Sequence, residues 1–275
     1  MESVGFMSVP RPGIVSAGRY RQRMKRKILI SLLGYLLGVI NNFWIIGLLG
    51  FQKLPFYPIW NVIIERTFSI LCSITLVWFF CPKALRFFNL KIISGRRSVT
   101  IFVSLFICLP PIFQLNTHGT SVVTFAQSYI FALFIGLDEE IFDRGFVFGL
   151  FNYSSNFITA SISSFLFGIE HFGNFLWGHQ SFSFTLGQVL GAASFGFVMA
   201  GLMVYSGSIF PSIFLHGFVD FPMQFESKLT YLTSVSGKAD WFGIFVDCGI
   251  NVVLGATLLY LSSSINSTNC KVFER

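Results

Sequence analysis

Gly136-Leu-Asp-Glu-Glu-Ile-Phe-Asp-Arg-Gly145 is the stretch on which the reading of this chain turns. It sets Asp138, Glu139, Glu140, Asp143 and Arg144 inside an apolar run, Phe125 to Phe151, that is otherwise long enough to cross a membrane. An ionisable group at membrane depth costs about 2.5–3.5 kcal/mol even on lenient insertion scales, so a spanning helix that keeps such groups is a candidate functional site. On a helix, Glu140 and Arg144 stand four apart with the acid on the N-terminal side, the favourable order for an ion pair. Glu139 points about 100° away from Glu140 and is free to face another element. One carboxylate is therefore expected to be held by the arginine while its neighbour does other work. A helix pair that only locks packing is the alternative these residues leave open.

Working outward, composition fixes the class. Hydrophobic residues make up 53% of the 275 residues and charged residues only 11%, well below the roughly 25% charged of an ordinary soluble domain. The expected fold is all-α: a polytopic membrane protein of about eight transmembrane helices in a single transmembrane domain, residues 28–265, with a basic segment 1–27 before it and a short tail 266–275 after it. Candidate spans are Ile28 to Phe51, Tyr57 to Phe80, Val99 to Phe113, Thr124 to Asn152, Phe157 to Trp177, Phe184 to Tyr205, Ile209 to Phe225 and Trp241 to Leu261. The first run is of full spanning length with no small-residue cleavage site, so it reads as a retained helix and not as a signal peptide. The five cysteines are scattered without a C-x-x-C, which reads as free thiols and neither a disulfide frame nor a zinc cluster.

The net charge of +7 is placed unevenly. Arg19, Arg21, Arg23, Lys25, Arg26 and Lys27 crowd the segment before the first span, and because the next residues enter the bilayer this fits an inner-leaflet anchor and no nucleic-acid arm. Lys83, Arg86, Lys91, Arg96 and Arg97 fill the link between the second and third spans, whereas Gln52 to Pro55 and Gln114 to Thr120 hold a single basic residue, Lys53. Positive charge on the cytoplasmic side then puts both termini in the cytoplasm.

Further polar residues lie in the spans. Glu65 and Arg66 are adjacent and face different sides, as expected of residues that link to other helices. His171 lies in the fifth span, and His216 stands four residues from Asp220 on one face of the seventh, where a carboxylate orients an imidazole and makes it more basic. Counted at about 1.5 Å per residue from the cytoplasmic ends, Glu139 and Glu140 lie about 18–20 Å deep, His171 about 21 Å, His216 about 11 Å and Asp220 about 17 Å. That convergence predicts one polar cavity among three helices. His118 and His179 fall at the far margins and read as surface residues.

Taken together, Glu139-Glu140-Ile-Phe-Asp-Arg144, Phe167-Gly-Ile-Glu-His171 and His216-Gly-Phe-Val-Asp220 resemble, in order, the motifs of the CaaX-protease and bacteriocin-processing proteins, also called the Abi family, which are glutamate-dependent intramembrane proteases. The resemblance covers about residues 120–225. Asp220 departs from the asparagine usual in the prenyl-protease branch. The resemblance implies a peptide or membrane-protein substrate, a bacterial cell membrane, and a role in bacteriocin processing or self-immunity. It also implies residue roles: Glu139 as base, His171 holding the water, Glu140 paired with Arg144, and His216 with Asp220 facing the oxyanion.

Chemically, no serine or cysteine stands in a nucleophile setting, so water is the expected nucleophile and a carboxylate its proton acceptor. Zinc is a candidate cofactor, with Glu139, His171, His216 and Asp220 as candidate ligands, although no His-Glu-x-x-His is present. Two readings from other classes remain open: a non-catalytic immunity protein that shields a membrane receptor, and a proton-coupled transporter using the same groups as a relay. A transporter would favour paired repeats, and none stands out.

Overall fold

The computed structural model describes residues 17–40, 58–114, 121–152, 155–225 and 239–268, and the regular elements among them are all helical. In chain order these are α1 (Ala17–Ile40), α2 (Pro58–Phe80), a 3-10 segment (Pro82–Phe87), α3 (Arg97–Gln114) and α4 (Val122–Phe151). After them come α5 (Asn156–Glu170), one turn at Gly173–Leu176, α6 (Phe182–Ser206), α7 (Phe210–Phe225) and α8 (Trp241–Thr268). Serine caps start three of them. Ser121, Ser155 and Ser181 each accept a hydrogen bond from the backbone N–H three residues on, satisfying a donor that the first helical turn leaves free. Gly207 ends α6 at φ 75°, a left-handed conformation that suits glycine.

Four helices among the described residues are long and apolar enough to cross a membrane: Ile63–Phe80, Val122–Phe151, Phe182–Ser206 and Trp241–Ser264. A shorter apolar helix spans Arg97–Leu109. Large apolar side chains such as Leu36, Trp78, Phe79, Phe102, Phe165 and Phe242 point outward, a surface suited to lipid and not to water. The protein is thus an all-α polytopic membrane protein. Most of α6 is buried, with α5, α7 and α8 packed around it.

Small residues let the helices come close where the site is built. A Cβ added to Gly136 of α4 would stand 2.8 Å from the backbone nitrogen of Gly217 and 3.2 Å from the Cβ of His216 on α7. The two backbones therefore meet at this crossing, as small residues allow in membrane helices. That contact sets His216 beside the acids that follow Gly136. On the other side, α1 docks on α4 through Ser31, whose hydroxyl donates to the carbonyl of Leu150 at 2.8 Å.

Two expected spans differ from the helices found. The fifth was expected to run to Trp177, but α5 stops at Glu170 with His171 as its C-cap, and the chain turns at His171 and Phe172 before the single helical turn Gly173–Leu176. His171 therefore sits at the end of a helix. The first helix begins at Ala17, inside the basic segment, because Arg, Lys, Gln and Met are good helix formers whether or not lipid surrounds them. Residues 41–51 of the expected first span, the links at 52–55 and 115–120 with His118, and the tail from 269 lie outside the described residues. His179 is exposed, as expected.

Candidate active site

The acidic stretch is not a continuous α-helix. After Glu140, the chain widens into a π-helical segment, Ile141–Val147, in which the N–H of Phe148 reaches the carbonyl of Asp143, five residues back. Such segments are rare and recur at functional sites. All seven residues of this one are buried, and Ser163 of α5 donates to the Asp143 carbonyl at 2.8 Å, binding the widened turn to the neighbouring helix.

Arg144 is fully buried. Its Nη1 lies 3.3 Å from Glu140 Oε1 and 3.8 Å from Asp143 Oδ2. The guanidinium plane covers the ring of Phe167, with Cζ 4.5 Å from its centroid, a favourable stacking for a desolvated cation. Glycine at 196 leaves the space it needs, since a Cβ there would fall 2.7 Å from Nη2. None of the three guanidinium nitrogens makes an aligned hydrogen bond to protein. Charge contact and the aromatic face hold this side chain.

His216 is the hub of the site. Its Nδ1 is 2.8 Å from Glu140 Oε1, and its Nε2 is 3.5 Å from Glu139 Oε2 and 3.6 Å from Asp220 Oδ2. Rings of Phe167 and Phe195 meet the imidazole edge-on at 5.8 and 5.4 Å. The carboxylates differ in access: the Glu140 side chain is 0% exposed, Glu139 29% and Asp220 22%. The open side of the cluster is therefore lined by Glu139 and Asp220, with Glu140 beneath.

His171 stands apart from that cluster. Its Nδ1 lies 3.0 Å from the carbonyl of Phe167, and because a carbonyl only accepts, Nδ1 is the donor of that bond. Phe167 joins the two histidines through its ring, which also meets His171 edge-on at 5.0 Å.

Several expectations are met and others corrected. The Glu140–Arg144 and His216–Asp220 pairs are both present. Glu139, expected to be free to face another element, faces His216 of α7, because the Gly136–Gly217 crossing draws α7 onto α4. Glu140 is shared between Arg144 and His216, with His216 the closer. Among the described residues, no hydrogen bond or ion pair joins His171 to Glu139, Glu140, His216 or Asp220. Among the described residues, no group of three or more His, Cys, Asp or Glu is arranged to hold a metal ion. Each His216 nitrogen already faces a carboxylate.

Two contacts went unread in the sequence. Arg66 of α2 donates to Asp138 Oδ2 at 2.8 Å, which gives the adjacent Glu65-Arg66 pair its expected inter-helix link; matching the unassigned acids of the stretch, Asp138 and Asp143, to the one arginine of α2 would have suggested it. Tyr35 of α1 donates to Glu170 at 2.9 Å across 135 residues of sequence, and no local signal announces that.

No curated protein and no solved structure matches the chain. The family model described as type II CAAX prenyl endopeptidase, Rce1-like, matches residues 121–222. The matched segment runs from the cap of α4 into α7 and leaves α1, α2, α3 and α8 outside it. The match takes in the helices that build the acid–histidine cluster, so over that segment the chain is similar to the type II CAAX prenyl endopeptidases.

Proposed function

We propose that the protein hydrolyses a peptide bond of a membrane-associated substrate with a water activated by Glu139. The observation that carries this reading is the buried His216 set between an enclosed carboxylate, Glu140, and two accessible ones, Glu139 and Asp220. Glu139 takes a proton from water while the hydroxyl adds to the scissile carbonyl carbon. His171, tethered through Nδ1 to the Phe167 carbonyl, is the residue to which the resemblance gives the holding of that water. His216, doubly protonated among its carboxylates, offers Nε2–H to the developing oxyanion. Collapse of the tetrahedral intermediate breaks the C–N bond, and Glu139 returns its proton to the leaving amine, giving a carboxylate and a free amine. Glu140 and Arg144 hold the imidazole, and Asp220 steers its outer edge.

The physiological setting follows from resemblance: bacteriocin processing or self-immunity in a bacterial cell membrane. A shield that works without chemistry would tolerate loss of the reacting groups. Glu139→Gln, His171→Ala and His216→Ala are each expected to remove processing or immunity at near-normal membrane abundance. Normal phenotype in all three well-expressed variants would leave the shield as the better reading.

For orientation, the basic residues of the α2–α3 link support cytoplasmic termini. Lys83, Lys91 and Arg97 are exposed there, while Arg96 is buried on the carbonyl of Tyr205. Reporter fusions at the two termini are expected to give cytoplasmic signals, and an outside signal from either would reverse the assignment.

A further inference from the structure

The matched family segment omits α1, yet α1 reaches the end of the helix that carries His171. Tyr35 is 9% exposed and donates its hydroxyl to Glu170 Oε1 at 2.9 Å. Glu170 is the last residue of α5 and immediately precedes His171, its C-cap. Four residues before Tyr35, Ser31 is tied to the carbonyl of Leu150 on α4. Between them, Gly34 lies against Leu150, and one turn on Gly38 lies against Phe142 and Phe146, so α1 is seated closely on the widened part of α4.

We infer that Tyr35 and Glu170 are positioning residues for His171: the bond from α1 holds the last turn of α5, and with it the direction in which His171 Nε2 points. This rests on the proposed role of His171 in holding the water. The bond is needed because, among the described residues, the one hydrogen bond of the His171 side chain runs from Nδ1 to Phe167 within the same helix. That tether sets the tautomer and the ring angle, but it moves with the helix end. A C-cap leaves the final carbonyls without helical partners, and helix ends fray by a residue or two unless something outside holds them. Glu170 bound to a separate helix is such a hold. What matters in this arrangement is that Glu170 accepts a hydrogen bond, not that it is charged. Glutamine, which also accepts at Oε1, should therefore replace it.

The test uses full-length protein in liposomes with four single variants, Tyr35→Phe, Glu170→Ala, Glu170→Gln and His171→Ala, and the double variant Tyr35→Phe/Glu170→Ala. Cleavage of a set of synthetic lipid-anchored peptides is followed by mass analysis, and labelling of His171 by diethyl pyrocarbonate is followed on the same samples. A net hydrogen bond of ordinary strength corresponds to a change of about five- to tenfold. Tyr35→Phe and Glu170→Ala are expected to lower kcat by about that factor with KM unchanged, and to raise the His171 labelling rate several-fold. Glu170→Gln should stay within about twofold of wild type in both readouts, and the double variant should be no worse than either single one. Wild-type kcat and wild-type labelling in a well-folded Tyr35→Phe would overturn the inference, as would a Glu170→Gln variant as impaired as Glu170→Ala. If the wild type and His171→Ala cleave none of the peptides alike, it is the proposed function that fails; the labelling comparison still decides whether Tyr35 positions His171.

Discussion

Glu139→Gln should reduce turnover by about 10²–10⁴-fold, the usual contribution of a positioned acid–base group, and leave a folded protein. The side chain lies on the open edge of the cluster, 29% exposed, and among the described residues its ion pair is the 3.5 Å approach to His216 Nε2. Asp220 stands at 3.6 Å from the same nitrogen, so the imidazole keeps a carboxylate on that side when Glu139 is neutralised. Glutamine is nearly isosteric and leaves packing undisturbed, but it cannot accept the proton of a water. The expected pattern is therefore normal heat stability, normal membrane abundance and lost product. A variant that unfolds would instead make Glu139 a structural acid.

Glu140→Gln should behave in the opposite way. Glu140 is fully buried, with one oxygen 2.8 Å from His216 and 3.3 Å from Arg144. Removing its charge leaves a buried guanidinium whose remaining acid, Asp143, is 3.8 Å away and whose nitrogens have no aligned hydrogen bonds. Breaking one side of a buried ion pair typically costs about 3–5 kcal/mol, because the other charge is stranded out of water. Glutamine still accepts from His216 Nδ1, so the loss should fall mainly on Arg144. Heat-stability measurements in lipid are expected to show a large drop for Glu140→Gln and little change for Glu139→Gln, with activity lowered in both. A stable, inactive Glu140→Gln beside an active Glu139→Gln would exchange the two roles.

How far the sequence could be read depends on the range of the interaction. Membrane class follows from long apolar runs, since the bilayer imposes a length that composition alone reveals. The Glu140–Arg144 and His216–Asp220 pairs were legible for the same kind of reason, being fixed by the rise of one helix. The partner of Glu139 was not, because it depends on a close crossing at Gly136 and Gly217, two glycines 81 positions apart that look unremarkable in their own helices. The widening at Ile141–Val147 was also hidden: nothing in Ile-Phe-Asp-Arg-Gly-Phe-Val distinguishes five-residue from four-residue hydrogen bonding until Ser163 is seen on the Asp143 carbonyl. His171 was expected deep in a span because the apolar run continues through Phe172 and Phe175. The helix nevertheless stops at Glu170, and the chain turns at His171 and Phe172 before the next helical turn begins at Gly173.

The claim on which the account rests is that a carboxylate-activated water cuts a peptide here. Purified wild-type protein and Glu139→Gln, reconstituted side by side in liposomes with the same lipid-anchored peptides, test it through mass analysis of the products. The account predicts a pair of fragments differing from substrate by the mass of one water with the wild type, and none above background with a Glu139→Gln variant of equal heat stability. Fragments formed equally by both proteins would contradict it.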